Sequence, residues 1–261
     1  MAKQTALDPT ILIHSLCLLC SVLALWSSYA YYEAARHERV DSADGLLEVQ
    51  EWVKGIRWTL PAAVTLTYLA FVWFAPSIKG SSSWAAPHIS SIMAWYNFAQ
   101  VAFNAWLAWC FVTAINNRGQ PWWGDKSASW HPHIGALFYL YYLNKIADLS
   151  DTLFIIVSGK KDLTFLHVVH HIGQLWFTYI VVATFPRGDN WFPAALNCVI
   201  HAQMYLWYLL SRVGVLAWLT QPWKRILTAT QLLQFVCLMA HNINAGFIAQ
   251  SAPIHLSIIS L

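Results

Sequence analysis

Apolar residues run along this chain in long blocks, and polar residues gather in short breaks between them. Blocks of spanning length fall at Thr10–Tyr32, Trp58–Pro76, Ile89–Ile115, Ile134–Val157, Leu166–Phe185, Trp191–Leu210 and Ile226–Ile248. A helix needs roughly 17–25 apolar residues to cross a bilayer. The pattern therefore predicts about seven transmembrane helices in an all-α polytopic membrane protein. The first block could also be read as a signal peptide. It is long, and no clear small-x-small cleavage site follows it, so a retained helix is expected.

The breaks agree with this reading. Gly80–Ser83 and Asn116–Ser129 are polar loops rich in turn residues, and Gly119–Gly124 reads as a turn at the membrane interface. Glu33–Arg57 is the strongly charged stretch; its mixed signs fit a short surface helix or a solvated linker equally well.

Composition narrows the class. The 261 residues are 58% hydrophobic and only 10% charged, whereas a soluble domain is nearer a quarter charged. Sixteen Trp suit interfacial belts and cavity walls. A net charge of +3, dispersed along the chain, gives no ground for a nucleic-acid partner. Orientation is left open by charge. With the Lys160, Lys161 loop cytosolic, Lys3, Lys79, Arg212, Lys224 and Arg225 join it, and Lys/Arg count seven against seven across the membrane. The crowding of Arg212, Lys224 and Arg225 leans toward that assignment. Cys17, Cys20, Cys110, Cys198 and Cys237 all lie inside apolar blocks, so they read as small apolar filler rather than a disulfide framework.

Ionisable residues inside a bilayer are costly and usually mark function. His167, His170 and His171 stand at i, i+3 and i+4, on one face of a helix and among apolar neighbours. Asn197, His201, Met204, Tyr205 and Tyr208 form a second stripe in the next block. Lys145, Asp148, Asp151 and Thr152 lie one block earlier, where opposite charges can neutralise one another. Thr228, Gln231 and Gln234 repeat every third residue in the last block, followed by His241, and suit either a cavity wall or packing between helices.

Several chemistries fit these residues. Four imidazoles could hold a metal. Imidazole could instead act directly, as nucleophile, general base or oxyanion donor in a dry site. Cys198, three residues before His201, offers a Cys–His pair as a third route. The carboxylates could orient imidazoles by accepting an N–H.

Taken together these motifs resemble the ELO family of very-long-chain fatty acid elongases. The family's Lys-x-x-Glu-x-x-Asp-Thr motif is similar to Lys145, Asp148, Asp151 and Thr152; its Phe-Leu-His-x-x-His-His box is similar to Phe165–His171. Its Asn-x-x-x-His-x-x-Met-Tyr element corresponds to Asn197, His201, Met204 and Tyr205. Its Thr-x-x-Gln-x-x-Gln-Phe element corresponds to Thr228, Gln231, Gln234 and Phe235. Tyr96, Asn97 and Phe98, with Asn104, resemble an upstream element. The match runs over about Trp58–Ile248.

The resemblance implies a multi-pass 3-ketoacyl-CoA synthase of the endoplasmic reticulum, with its helices enclosing an acyl-chain tunnel. It would condense a long-chain acyl-CoA with malonyl-CoA, releasing CoA and carbon dioxide, with no metal or redox cofactor. The acyl group would pass to His170, with His201 opposite and His167 and His171 assisting. Lys145, Asp148, Asp151, Asn197, Tyr205, Gln231 and Gln234 would support them, and Lys160, Lys161, Arg212, Lys224 and Arg225 would bind CoA phosphates. Implied partners are the bilayer, the two thioester substrates, a second copy of the chain and the other enzymes of the elongation cycle.

Three departures from the family pattern stand out. Asp148 replaces a Glu, shortening the carboxylate by one methylene. Residues 1–57 form an additional N-terminal span and charged segment ahead of the catalytic domain at 58–248. Residues 249–261 read as a short tail, a truncated final helix. Two readings from other classes also fit the sequence: a metal-dependent oxidising enzyme of the membrane, and a non-catalytic multi-span lipid-binding protein.

Overall fold

The computed structural model describes residues 58–78, 86–124, 132–158, 163–184, 188–213 and 217–248. The first block, Thr10–Tyr32, the charged stretch Glu33–Arg57, the Gly80–Ser83 loop, Lys160, Lys161, Phe185 and the 249–261 tail lie outside these. The described residues form helices and connecting turns, with no strand among them.

Helices α1 (Thr59–Ile78) and α2 (Ala86–Asn116) cover the second and third blocks. The fourth block folds as two pieces, α3 (Pro132–Asp148) and α4 (Ser150–Ser158). Helices α5 (Phe165–Thr184), α6 (Trp191–Val213) and α7 (Ala217–Ile243) follow, and a single π turn at Asn244–Ile248 ends the described chain.

Three segments among the described residues are long and apolar enough to cross a membrane by themselves: Ile89–Asn116, Phe165–Ala183 and Pro222–Ile248. Thr59–Ala75 is a shorter apolar helix. The α3–α4 and α6 blocks fall short for a physical reason. One is interrupted at Leu149, and the other carries the polar stripe through Asn197 and His201. The protein is thus an all-α polytopic membrane protein, with three span-capable helices among the described residues.

The most extensive pairing joins α2 to α6; α3 packs on α5, and α7 packs on α6. Their shared core includes Leu107, Phe111, Phe138, Tyr142, Leu175, Trp191 and Cys198. The outward faces are apolar, with Trp73, Trp95, Trp109, Leu232, Phe235 and Val236 exposed. Apolar side chains on the outside and polar ones within match a lipid solvent, which hydrates no buried polar group.

The break in the fourth block positions the site. Leu149 N–H donates to Ile146 C=O at 3.2 Å, and Thr152 N–H donates to Leu149 C=O at 3.2 Å. These i→i+3 bonds tighten the turn, and tight turns bring i and i+3 side chains into line. Asp148 and Asp151 are so related, and both reach the same phenol on α6.

Candidate active site

The polar residues of α3 and α6 meet in one buried network. Lys145 and Asp148 are 3% and 2% exposed, and the Lys145 ammonium donates to Asp148 Oδ2 at 2.9 Å. The same ammonium donates to Asn197 Oδ1 at 2.9 Å and lies 3.5 Å from His201 Nε2. It also stands 4.9 Å from the centre of the Tyr141 ring, whose hydroxyl donates to Asn197 Oδ1 at 2.9 Å. His201 Nδ1 is 3.4 Å from Asp148 Oδ2. That approach lacks the alignment of a hydrogen bond, and the nitrogen is buried without another partner. On the far side of Asp148, Tyr205 Oη is 3.0 Å from Asp148 Oδ1 and 2.7 Å from Asp151 Oδ2. One ammonium thus neutralises Asp148, and one phenol hydroxyl lies within hydrogen-bond distance of both carboxyl groups, which would be costly alone in low dielectric.

Helix α2 completes this network. Gln100 donates to Asp148 Oδ1 at 3.4 Å and to Tyr96 Oη at 3.1 Å, and the Tyr96 hydroxyl donates to Ala147 C=O at 3.0 Å. Asn104 donates to Gln100 Oε1 at 2.9 Å, and Asn144 donates to Asn104 Oδ1 at 3.1 Å. Gln100, Tyr141 and Asn144 were not singled out by the motifs. A signal existed for Gln100: Tyr96, Gln100 and Asn104 recur every four residues on an otherwise apolar helix, marking one polar face.

The three box histidines sit in the first turns of α5. His167 Nε2 is 2.8 Å from Thr152 Oγ1, which is 2.8 Å from the Tyr68 hydroxyl of α1. His171 packs against His167 with ring centres 4.3 Å apart, and His170 lies 5.8 Å from His171. The rings differ in access. His167 and His171 are half-buried, whereas His170 is exposed and no hydrogen bond engages its ring among the described residues. Helices α5 and α6 share no extensive packing; α3 contacts both. The box face and the His201 network therefore border a gap floored by α3. Among the described residues no three His, Cys, Asp or Glu side chains converge as a metal-ligand set. Cys198 is fully buried in the apolar core, and among the described residues no hydrogen bond joins its thiol to an imidazole.

Other expected members fall elsewhere. Gln234 is buried and Gln231 half-buried on α7, but among the described residues no hydrogen bond joins them to the network. Thr228 is exposed and bonds back to Lys224 C=O at 3.1 Å. Helix α7 packs chiefly on α6 and shares no extensive packing with α3, the helix that carries Asp148. Of the basic residues, Lys224 and Arg225 are exposed on α7, and Arg212 donates to Ser90 Oγ at 3.3 Å.

The end of the bundle away from Arg212 is closed by aromatic rings. Gly119 and Gly124 adopt φ of 61° and 78°, a region that suits glycine. They bend the loop so that Trp122 meets Trp191 and Trp123 meets Phe192 at ring separations of 5.7 and 5.5 Å. His241 stacks on Phe192 at 5.0 Å, and Asp189 accepts the Gly124 N–H at 2.8 Å, clipping the loop down. The loop expected to lie at the membrane interface thus also serves as a lid on the α6 and α7 ends. Between this lid and Tyr141 lies a cavity lined by Phe138, Phe177, Val181, Ala194 and Asn242.

Comparison with known proteins bears on this arrangement. Residues 56–253 match the ELO family, described as the GNS1/SUR4 family. "Very long chain fatty acid elongase 5" of Tachysurus fulvidraco is 28% identical over 198 residues, 73% of this chain and 65% of that protein. "Very long chain fatty acid elongase 2" of Mus musculus is 28% identical over 192 residues, 70% of this chain and 63% of that protein. "Very long chain fatty acid elongase 7" of Rattus norvegicus is 30% identical over 205 residues, 73% of each chain. The chain thus spans about two thirds of the length of the first two relatives.

Proposed function

We propose, from the premise that this chain belongs to the ELO: GNS1/SUR4 family, that it is an enzyme of fatty acid elongation, a very-long-chain 3-oxoacyl-CoA synthase. The reaction joins a long-chain acyl-CoA to malonyl-CoA, releasing CoA and carbon dioxide. The observation that carries the residue assignment is the difference among the box histidines. His167 is held by Thr152 and His171 leans on His167, which leaves the exposed His170 ring free to meet a substrate.

In this reading His170 attacks the acyl thioester, CoA thiolate departs, and an acyl-imidazole remains. Thiolate is a good leaving group, so imidazole suffices as nucleophile. Malonyl-CoA then loses carbon dioxide, and its enolate takes the acyl group from His170. His201 faces the thioester from across the gap, where the Lys145 ammonium at 3.5 Å adds positive charge toward a developing oxyanion. Asn197 and Asp148 hold that ammonium in place. Arg212, Lys224 and Arg225, with Lys160 and Lys161, are assigned to the CoA phosphates at the open end. No metal or redox cofactor takes part, and the setting is the endoplasmic reticulum membrane, where a second copy and the other elongation enzymes are the proposed neighbours.

The acyl chain runs toward the aromatic lid. The cavity there has a volume of about 30 Å³, room for a water or two. Entry of an acyl chain therefore requires α5 to move away from α6 and α7, which the sparse packing between them allows.

The test is incubation of the purified full chain in bilayer nanodiscs with acyl-CoA and carbon-labelled malonyl-CoA. The expected product is a labelled 3-ketoacyl-CoA two carbons longer. Absence of labelled product across saturated and unsaturated acyl-CoA substrates, from protein that remains folded, would overturn the assignment.

A further inference from the structure

The Tyr205 hydroxyl has one hydrogen and two carboxyl neighbours. Its oxygen is 3.0 Å from Asp148 Oδ1 and 2.7 Å from Asp151 Oδ2. Tyr96, at 3.4 Å from the same oxygen, uses its own hydrogen on Ala147 C=O. Were both carboxyls ionised, one of these short contacts would set lone pair against lone pair. A second hydrogen must therefore lie between Tyr205 and one carboxyl. Asp148 has a full counter-charge at 2.9 Å in Lys145 and a further donor in Gln100. Asp151 has no cation and no hydrogen bond besides Tyr205 among the described residues. The extra hydrogen belongs on Asp151.

We propose that Asp151 is a proton-holding residue which, through Tyr205, feeds one proton per turnover to Asp148 and His201. The path is ordered by access. Asp151 is partly open to the surroundings at the α3–α4 break, while Asp148 is 2% exposed. Asp151 gives its proton to Tyr205 Oη as the Tyr205 hydrogen passes to Asp148 Oδ1, and a half-turn of the protonated Asp148 carboxyl about Cβ–Cγ then carries that hydrogen to the side that faces His201. Asp148 Oδ2 faces His201 Nδ1 at 3.4 Å, a buried ring nitrogen with no hydrogen bond of its own. That unpartnered nitrogen is the receiving end.

The inference rests on the condensing activity proposed above, whose balance calls for such a proton. Acyl-CoA, malonyl-CoA carboxylate and one proton yield 3-ketoacyl-CoA, carbon dioxide and CoA thiol. In the first half the hydrogen that His170 gives up on acylation goes to the CoA thiolate, and no outside proton is used. In the second half the C–C bond forms, the acyl–nitrogen bond breaks, and His170 would leave as imidazolate. The proton from Asp151, arriving by His201, returns it to neutral imidazole. Asp151 and Tyr205 are thus positioning and relay residues, apart from the group that bears the acyl chain.

Two measurements test this. The first is hydrogen–deuterium difference infrared spectroscopy of the full chain in nanodiscs, which needs no turnover. A carboxylic-acid C=O band is expected in the resting protein, absent in Asp151→Asn and present in His170→Ala. In Tyr205→Phe the band should persist at higher frequency, which keeps the test open should Asp151→Asn fail to fold. A wild-type spectrum without that band, or a band that survives in Asp151→Asn, would overturn the proposal whether or not the enzyme condenses. A band with no condensation by wild type would instead remove the activity and leave the shared proton standing.

The second measurement separates the half-reactions. Asp151→Asn and Tyr205→Phe should release CoA in a single acylation at near the wild-type rate. Condensation should slow by roughly 100-fold, the scale of a lost proton transfer, with a changed pH–rate profile. The charged and titratable groups facing Asp151 are Asp148 and Lys145 on α3, Tyr96 on α2, Tyr205 and Tyr208 on α6, and Tyr68 on α1. Unchanged condensation and pH profile in Asp151→Asn would refute the relay.

Discussion

Breaking the Lys145–Asp148 pair should destabilise the protein more than removing both charges together. The pair is 2.9 Å apart, and its members are 3% and 2% exposed. At an effective dielectric of about 20 the gross attraction at that distance is about 6 kcal/mol, opposed by the cost of dehydrating each ion. Losing one partner leaves a buried charge without compensation, which costs about 3–5 kcal/mol. Lys145→Met strands the Asp148 carboxylate with only Tyr205, Gln100 and His201. Asp148→Leu strands the ammonium on Asn197. In the double variant Lys145→Met with Asp148→Leu neither charge is buried, and the loss should be well below the sum of the singles. At a few degrees per kcal/mol for a chain of this size, each single variant should lower Tm by roughly 6–20 °C. Thermal unfolding in a fixed detergent, followed by helical circular dichroism, reads all four proteins. Single variants as stable as wild type, or a double variant as damaged as the sum of the two singles, would refute the account of this network. Condensation should be lost in all three, so activity does not substitute for the cycle.

Other consequences are as direct. His170→Ala should abolish condensation while leaving Tm near wild type, because the ring is exposed and makes no hydrogen bond among the described residues; acylation measured by mass spectrometry of the intact chain checks it. Cys198→Ala should keep most turnover, since that thiol is sealed in the core, and complete loss would revive a thiol nucleophile. Phe192→Ala removes the ring stacked 5.0 Å from His241 in the aromatic lid and should lengthen the products seen by mass spectrometry; an unchanged product profile would show that this ring does not limit the acyl chain. Lys224→Ala and Arg225→Ala, both exposed, should raise KM for acyl-CoA by about 1.4- to 5-fold each, as for a surface charge pair of about 0.2–1 kcal/mol. High salt should erase the difference, and no rise in KM at low salt would exclude them from CoA binding.

Family membership and the all-helical membrane fold could be read from residue order alone. The reason is physical. A bilayer accepts few polar side chains, so the apolar blocks mark the spans and the exceptions mark the site. His167, His170, His171, Lys145, Asp148, His201 and Tyr205 stood out by that logic before any geometry was known. Spacing also placed the three box histidines on one face, because i, i+3 and i+4 share a side of any helix.

What neighbours across helices do was decided only by the tertiary structure. Sequence spacing put Lys145 with Asp148, but not Asn197 within 2.9 Å of the same ammonium, on a helix fifty residues later. It read Ile134–Val157 as one span, whereas the break at Leu149 turns Asp148 and Asp151 onto the same phenol. It gave Gln231 and Gln234 the same standing as Asn197, and helix packing leaves the two glutamines outside the network. It could not rank the three histidines, whose difference in access comes from Thr152 and Tyr68 on other helices. Periodicity reports which way a side chain points from its own helix. Which partner waits there depends on how the helices cross, and that is set by packing among residues far apart in the chain.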